Sequence, residues 1–165
     1  SLGEINDGLK TLKKLEDMGV LKMIITRDIF SLAHRAGCKN VIELHGSVYH
    51  NECPHCRRKY PLEYIRDSKG VPRCENCGTT IRPQIVLAGE MVNNALSTKA
   101  ADEVSKADTL LLLGCDMSSV LAESFLRYFT GKRVILIHNR EHYADSKADL
   151  VIHGKSMDIL AQLAL

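Results

Sequence analysis

The sequence lacks a marked excess of charge of either sign: 22 Lys and Arg residues stand against 20 Asp and Glu residues, for a formal net charge of +2. So small a net charge creates no strong field for nucleic acid or for a membrane surface. Long hydrophobic runs are missing as well, because the longest, such as TLLLLG and RVILIH, are far shorter than a membrane-spanning helix requires. We therefore expect no membrane association, and we do not expect nucleic acid as a partner.

No basic and apolar leader opens the chain, which begins with Ser1, so nothing in the sequence supports secretion. Of the six cysteines, four form two C-x-x-C pairs, whereas Cys38 and Cys115 have no partner at such a spacing. This pattern suits a metal site in a reducing compartment better than a disulfide framework. We therefore expect a cytoplasmic protein.

The apolar pattern predicts an α/β fold. Short apolar runs alternate with segments of helical periodicity and short loops, which is typical of a Rossmann-like parallel sheet with helices on both faces. Between residues 48 and 80, Cys, Pro, Gly and charged residues replace this pattern. We therefore predict a core formed by residues 1–47 and 81–165, with an inserted module at 48–80. Strands are predicted at 21–26, 41–44, 84–87, 109–113, 133–138 and 150–152, and helices at about 6–20, 28–36, 95–106, 118–130 and 156–164.

The two cysteine pairs have the spacing C-x2-C-x17-C-x2-C and consist of Cys53, Cys56, Cys74 and Cys77. This spacing is typical of a four-cysteine zinc ribbon, in which each pair lies on a tight turn. Four thiolates favour tetrahedral Zn²⁺ and leave no position open for water, so we predict a structural zinc site. Redox use of the same cysteines is the alternative interpretation.

Several motifs occur in a fixed order: IITRDIFSLAHRAG, VIELHGSV, the two C-x-x-C pairs, IRPQIVLAGE, ADTLLLLGCDM and VILIHN. As an ordered set they resemble the sirtuins, from about Leu9 to the end of the chain. Sirtuins are NAD-dependent protein deacylases with a large Rossmann-type domain and a small zinc-ribbon insert. The resemblance therefore implies this architecture, this activity and an acyl-lysine peptide as the partner.

The resemblance also implies roles for particular residues. The catalytic histidine of the family motif ELHG falls on His45, where it would act as the general base on a ribose hydroxyl, a role that suits the near-neutral pKa of imidazole. The peptide-binding strand, V-x-F-G-E, falls on residues 86–90. Val86, Gly89 and Glu90 match it, while Ala88 replaces the usual phenylalanine. Backbone groups of this segment would pair with the substrate peptide.

The cofactor motifs of the family are altered. The glycine-rich loop that holds the NAD pyrophosphate in sirtuins has no counterpart in this sequence, so a helix N-terminus facing the diphosphate is not expected. The motif T-Q-N-I-D becomes residues 26–30, where Thr26 is kept but Asp28 and Phe30 replace the asparagine and the aspartate. Neither replacement can make the same contacts with ribose and nicotinamide.

Two further cofactor positions are altered in the same way. The motif G-T-S becomes Gly114-Cys115-Asp116, which keeps the glycine but brings a carboxylate to the expected position of the diphosphate. The asparagine that meets the adenosine ribose is replaced by His138. Together these changes predict that the chain alone does not hold NAD.

The resemblance implies an incomplete sheet. The family's first strand, which would be central, is missing, and we expect the apolar strands MIIT and QIVL to flank the gap. Because buried backbone groups need partners, the gap must be repaired. Direct closure of the two halves or pairing within a homodimer is expected, whereas a separate polypeptide or a longer natural chain are the alternatives.

Two functions follow as hypotheses. The first is a sirtuin-like zinc-binding module that binds a peptide, a partner protein or a nucleotide fragment without turnover, with Asp28 and Asp116 available to a ligand's hydroxyl groups. The second is a deacylase with His45 as the base and the NAD-binding segment upstream or on a partner. A structural alternative for His45 is an imidazole bonded to a turn carbonyl.

Overall fold

The computed structural model of the chain describes residues 3–163, in which helices and strands alternate. The helices are α1 (Asp7–Asp17), α2 (Leu32–Arg35), α3 (Leu62–Arg66), α4 (Asn94–Lys106), α5 (Val120–Leu126) and α6 (Ser156–Ala161), with a 3₁₀ helix at Tyr143–Lys147. The strands are β1 (Ile24–Thr26), β2 (Val41–Glu43), β3 (Gly46–Glu52), β4 (Lys59–Tyr60), β5 (Arg82–Ile85), β6 (Thr109–Leu113), β7 (Arg133–His138) and β8 (Leu150–His153). None of the described helices is long and apolar enough to cross a membrane.

Two parallel sheets form the larger part of the molecule. One has the order β6-β7-β8, and the other pairs β1 with β2. Strand β7 is central in its sheet, and its Leu136 is completely buried between the covering layers. The predicted α/β class with parallel strands is therefore confirmed, and the near-continuous apolar sequences of β6 and β7 reflect burial on both faces.

Helix α1 shows how local sequence signals determine an element. The side chain of Asn6 accepts a hydrogen bond of 2.9 Å from the backbone N–H of Leu9, so Asn6 is the N-cap of this helix. The apolar face of α1 packs on α6, where Leu9, Leu12 and Leu160 are buried together. Gly8 permits this packing, because a Cβ atom there would lie 2.4 Å from the carbonyl oxygen of Met157.

A third sheet is antiparallel, with the order β4-β3-β5, and α3 follows β4. Its strands lie between Gly46 and Ile85, and all four paired cysteines lie in the loops that connect these strands. The predicted strand at 84–87 therefore ends at Ile85 and lies in this sheet, not in the parallel one, so that expectation is wrong. Its alternating burial, with Arg82 and Gln84 exposed, is typical of an antiparallel strand with one solvated face.

The gap between the two parallel sheets is bordered by a different pair of strands from the pair expected. Strand β6, not QIVL, faces β1, and no hydrogen-bonded ladder joins β1 to β6 within residues 3–163. The expected direct closure of the two halves is therefore wrong. The two strands instead border a slot of about 610 Å³. Its apolar lining includes Met23, Ile25, Leu110, Leu112, Leu121 and Phe125.

The predicted strands at 109–113 and 133–138 are confirmed. Four helices are shorter than predicted, namely α1, α2, α5 and α6, and the predicted end of the last at residue 164 lies outside the described residues. Helix α5 ends at Leu126, because Tyr128 and Phe129 form tighter three-residue turns and Gly131 begins the approach to β7. Helix α6 ends at Ala161 in the same manner, since the N–H groups of residues 162 and 163 bond three residues back.

Candidate functional site

The four paired cysteines lie on two turns of similar geometry. In the first, the backbone N–H of Arg57 donates to the carbonyl of Cys53; in the second, the N–H of Gly78 donates to the carbonyl of Cys74. The residue after each pair, Arg57 or Gly78, has a positive φ of 62° or 72°. Each turn therefore directs its two sulfurs to the same point.

The sulfur positions fit tetrahedral zinc. Sγ of Cys53 lies 3.4 Å from Sγ of Cys77, Sγ of Cys56 lies 3.4 Å from Sγ of Cys74, and all four sulfurs lie within 4.8 Å of one another. Zinc–sulfur bonds of ~2.3 Å in a tetrahedron place sulfurs about 3.8 Å apart, which falls within this range. The cluster is thus compatible with Zn²⁺, and a four-sulfur shell would supply structural support without an open position.

Neighbouring groups favour the thiolate form at two of these cysteines. The side chain and backbone of Thr79 lower the pKa of Cys77 to about 6. The Tyr60 hydroxyl, which donates to Sγ of Cys74 across 3.1 Å, lowers the pKa of Cys74. At Cys53 the backbone N–H of Cys56 lowers the pKa, but burial and the sulfur of Cys77 raise it to about 11. A metal ion must therefore displace a proton from Cys53, as expected for a site that forms with the metal.

His45 occupies a corner between β2 and β3. Its carbonyl accepts a 2.9 Å hydrogen bond from the N–H of Val86, which joins the corner to the end of β5. Its imidazole makes no hydrogen bond to any residue in the described range 3–163, so the interpretation in which a turn carbonyl holds the ring is not observed. The residue is half-buried.

Gly46 makes this corner possible. Its φ is +69°, in the left-handed region that glycine adopts without strain. A Cβ atom at Gly46 would lie 1.8 Å from the carbonyl oxygen of Gln84 in β5. The pairing of β3 with β5, and with it the position of His45, therefore requires glycine at this residue.

The segment after β5 forms a turn. The N–H of Glu90 donates to the carbonyl of Leu87, and Gly89 has a φ of +85°. The Glu90 carboxylate accepts from the N–H of Leu87 across 2.9 Å and pairs with Arg82 at 2.5 Å, and Arg82 lowers the pKa of Glu90. The backbone N–H groups of Val86 and Leu87 are thus already occupied.

A groove of about 880 Å³ opens beside this segment. It lies between β2, β5 and α4, and it brings together Val86 and Glu90 of the sequence-predicted peptide site but neither Gly89 nor His45. Two exposed apolar side chains flank the turn: Leu87 is 52% exposed and Met91 is 83% exposed. The arrangement offers apolar contact area next to a groove with charged groups.

Thr26 and Asp28 lie at the end of β1, where their side chains build the local turn. The Thr26 hydroxyl accepts from the N–H of Asp28 across 2.9 Å. The Asp28 carboxylate accepts from the N–H groups of Phe30 and Leu32, and so caps the start of α2. Both oxygens of Asp28 are therefore engaged by the backbone.

Gly114 follows β6 with a φ of +69°, and Asp116 comes two residues later. The Asp116 carboxylate accepts from both the N–H and the hydroxyl of Ser118, and the hydroxyl of Ser118 lowers the pKa of Asp116. Asp116 is therefore ionised at neutral pH. A carboxylate held by Ser118 therefore lies close to the end of β6.

One group of metal-ligating side chains was missed by the sequence reasoning. His138, Asp145 and His153 come together at the ends of β7 and β8. The signal was present, because both parallel strands end in histidine and such ends meet at one sheet edge. Asp145 follows His138 by seven residues and contacts it only because of the 3₁₀ helix, which the sequence pattern did not predict.

Parallel strands flanked by helices, an antiparallel ribbon and a four-cysteine cluster define an α/β protein with a zinc-ribbon insert. The model of the Sir2 family matches residues 3–120. The chain therefore belongs to the Sir2 family, the sirtuins.

Similar proteins agree with this assignment. The NAD-dependent protein deacetylase of Clostridium perfringens (strain 13 / Type A) is 43% identical over 159 residues, which are 96% of this chain and 65% of the relative. That of Cutibacterium acnes (strain DSM 16379 / KPA171202) is 38% identical and covers 97% of this chain and 66% of the relative. A solved structure, "Sir2 bound to acetylated peptide", has a TM-score of 0.84 at 31% identity, covering 94% of this chain and 68% of that one. The chain thus spans just under two thirds of the length of the two deacetylases.

Proposed function

We propose that this chain is a zinc-stabilised part of a sirtuin fold that binds an acyl-lysine peptide and does not by itself catalyse NAD-dependent deacylation. The observation that carries the proposal is the groove between β2, β5 and α4, beside the exposed Leu87 and Met91. Cys53, Cys56, Cys74 and Cys77 would hold Zn²⁺, whose contribution is to fix the ribbon that carries β3 and β5.

Peptide recognition is supported by a structural neighbour that is bound to an acetylated peptide. In this chain, the N–H groups of Val86 and Leu87 are bonded internally, so side-chain contact in the groove contributes more than an added strand would.

The peptide prediction is tested with the variant Met91→Asp, because Met91 lines the groove and is 83% exposed. We expect the zinc-loaded chain to bind a fluorescent acetyl-lysine peptide saturably in an anisotropy titration, and Met91→Asp to weaken this binding by about 10-fold, because a charge replaces apolar contact area. Val71→Asp is the matched control, since Val71 is an exposed valine in the cysteine-rich region (65% exposed) and lies outside the groove. Equal binding by wild type and Met91→Asp, or no saturation at all, would contradict the proposal.

The proposed absence of NAD binding is tested by calorimetry. The Asp28 oxygens are engaged by backbone N–H groups, and Asp116 brings negative charge to the end of β6. We therefore expect no saturable heat when NAD or ADP-ribose is titrated to millimolar concentration into the 165-residue chain. Saturable binding of NAD would overturn the non-catalytic proposal, and binding of ADP-ribose alone would favour a nucleotide-fragment ligand instead of the peptide.

A second candidate function is favoured by the slot between β1 and β6. Its apolar lining and the free strand edges suit one added parallel strand, and the relatives are longer than this chain. A segment encoded elsewhere in the same gene, or carried by a partner, would then complete an NAD-dependent deacylase with His45 as its base. Repeating the NAD titration on the product of the full reading frame distinguishes the two: binding there, but not here, supports this candidate.

A further inference from the structure

The carboxyl ends of β7 and β8 carry a second cluster of ligand side chains. His138 and His153 are register partners in the two neighbouring parallel strands. Asp145 reaches them from the 3₁₀ helix between these strands, with its Oδ2 atom 3.1 Å from Nε2 of His138 and 3.0 Å from Nε2 of His153. Three elements of secondary structure thus converge on one point.

From this geometry we infer that His138, Asp145 and His153 form a second metal site, for a divalent transition metal such as Zn²⁺. Bonds of ~2.0–2.1 Å in a tetrahedron place ligand atoms about 3.3 Å apart, close to the two observed separations. Two imidazoles and one carboxylate suit Zn²⁺, Cu²⁺ or Ni²⁺ and do not suit Mg²⁺ or Ca²⁺, which prefer oxygen ligands. The inference is independent of the proposed function.

The hydrogen bonds of the Asp145 carboxylate leave one of its two oxygens without a partner among residues 3–163. Asp145 is only 8% exposed, yet its second oxygen, Oδ1, has no hydrogen-bond partner in the described part of the chain. Meanwhile Oδ2 is crowded, because it faces both imidazoles and also accepts from the N–H of His142 across 3.0 Å. A cation between the three side chains would neutralise the buried negative charge of Asp145. It would also replace the two ring protons that now lie between the imidazoles and Oδ2.

The orientation of Asp145 is fixed independently of the two imidazoles. The backbone N–H of His142 donates to its Oδ2 atom across 3.0 Å, as supporting hydrogen bonds do in metal sites. His138 is buried, whereas the His153 side chain is 40% exposed, so the ion would have an access path and a fourth position for water or a ligand group.

The experiment measures zinc stoichiometry in the full chain. After the four-cysteine site is filled, we expect a second equivalent of Zn²⁺ to bind in a calorimetric titration at micromolar protein. His153→Asn removes an imidazole at the most exposed ligand and keeps a side-chain donor for Asp145. We expect this variant to bind the second equivalent of Zn²⁺ at least about 10-fold more weakly and to bind the first with unchanged affinity. His50→Asn is the matched control, because His50 is an exposed histidine on β3 outside the cluster.

Cobalt spectroscopy on the wild-type chain gives a second readout that needs no variant. The second equivalent of Co²⁺ should add ligand-field bands without additional thiolate-to-cobalt charge transfer, because its ligands are nitrogen and oxygen. The inference is overturned if wild type binds one equivalent only, if His153→Asn keeps the second equivalent at full affinity, or if charge transfer grows with the second equivalent.

Discussion

Replacing Cys74 with serine is expected to abolish tight zinc binding by the cysteine cluster and to unfold the ribbon around it. Cys74 is buried, and its sulfur faces both Cys56 and the Tyr60 hydroxyl. Serine cannot supply a thiolate, so the ion would lose one of four soft ligands. Structural zinc contributes roughly 10–16 kcal/mol of apparent binding free energy in small zinc-dependent domains, so this loss exceeds most single substitutions.

The measurement combines metal content with thermal unfolding. We expect Cys74→Ser to retain no zinc at the four-cysteine site and to unfold at least about 10 °C below the zinc-loaded wild type, and a chelator should shift wild type similarly. The change should be strongest at Tyr60 and Tyr64, whose rings pack at 4.6 Å beside the cluster and report by tyrosine fluorescence.

Cys38→Ser is the control for this prediction. Cys38 is as buried as Cys74, but it packs with Leu9 and Ile137 in the core between α1 and the parallel strands. Its replacement should cost about 1–3 kcal/mol through burial of a hydroxyl group and should leave zinc content unchanged. If Cys74→Ser kept its zinc, or if both variants behaved alike, the structural role of the metal would be refuted.

The elements that could be predicted from the sequence are those that pack against the core on both faces or whose signal is local. β6 and β7 are continuous apolar runs covered on both faces, and their bounds agree with the prediction at 109–113 and 133–138. The Asn6 cap of α1 and the cysteine spacing are similarly local. In each case the residues that determine the structure lie next to one another in the chain.

The features that were missed depend on contacts between distant segments. The apolar residues at 84–87 suit a parallel strand as well as an antiparallel one, and only the pairing of Gly46 with Ile85 decides between them. Likewise, Asp145 joins His138 and His153 only after the 3₁₀ helix has formed. The slot between β1 and β6 is a tertiary property, and it shows that two exposed strand edges need not pair merely because both are apolar.

Gly46→Ala is expected to produce the second large effect, a loss of at least about 3 kcal/mol in the free energy of unfolding. About 1–2 kcal/mol of this arises because alanine disfavours the left-handed φ of +69°. The remainder arises because the new Cβ atom would overlap the Gln84 carbonyl oxygen at 1.8 Å, so β5 must move away from β3. Denaturant unfolding of the zinc-loaded protein measures the change.

Gly19→Ala separates the two contributions. Gly19 follows α1 with a φ of +72°, but no atom lies within 4 Å of its would-be Cβ, so only the same conformational strain of about 1–2 kcal/mol applies. The difference between the two variants therefore measures how firmly β5 is held against β3. Because Val86 at the end of β5 bonds to the carbonyl of His45, movement of β5 would also displace His45. We accordingly expect Gly46→Ala, and not Gly19→Ala, to weaken peptide binding; equal stability losses would show that the corner tolerates a side chain.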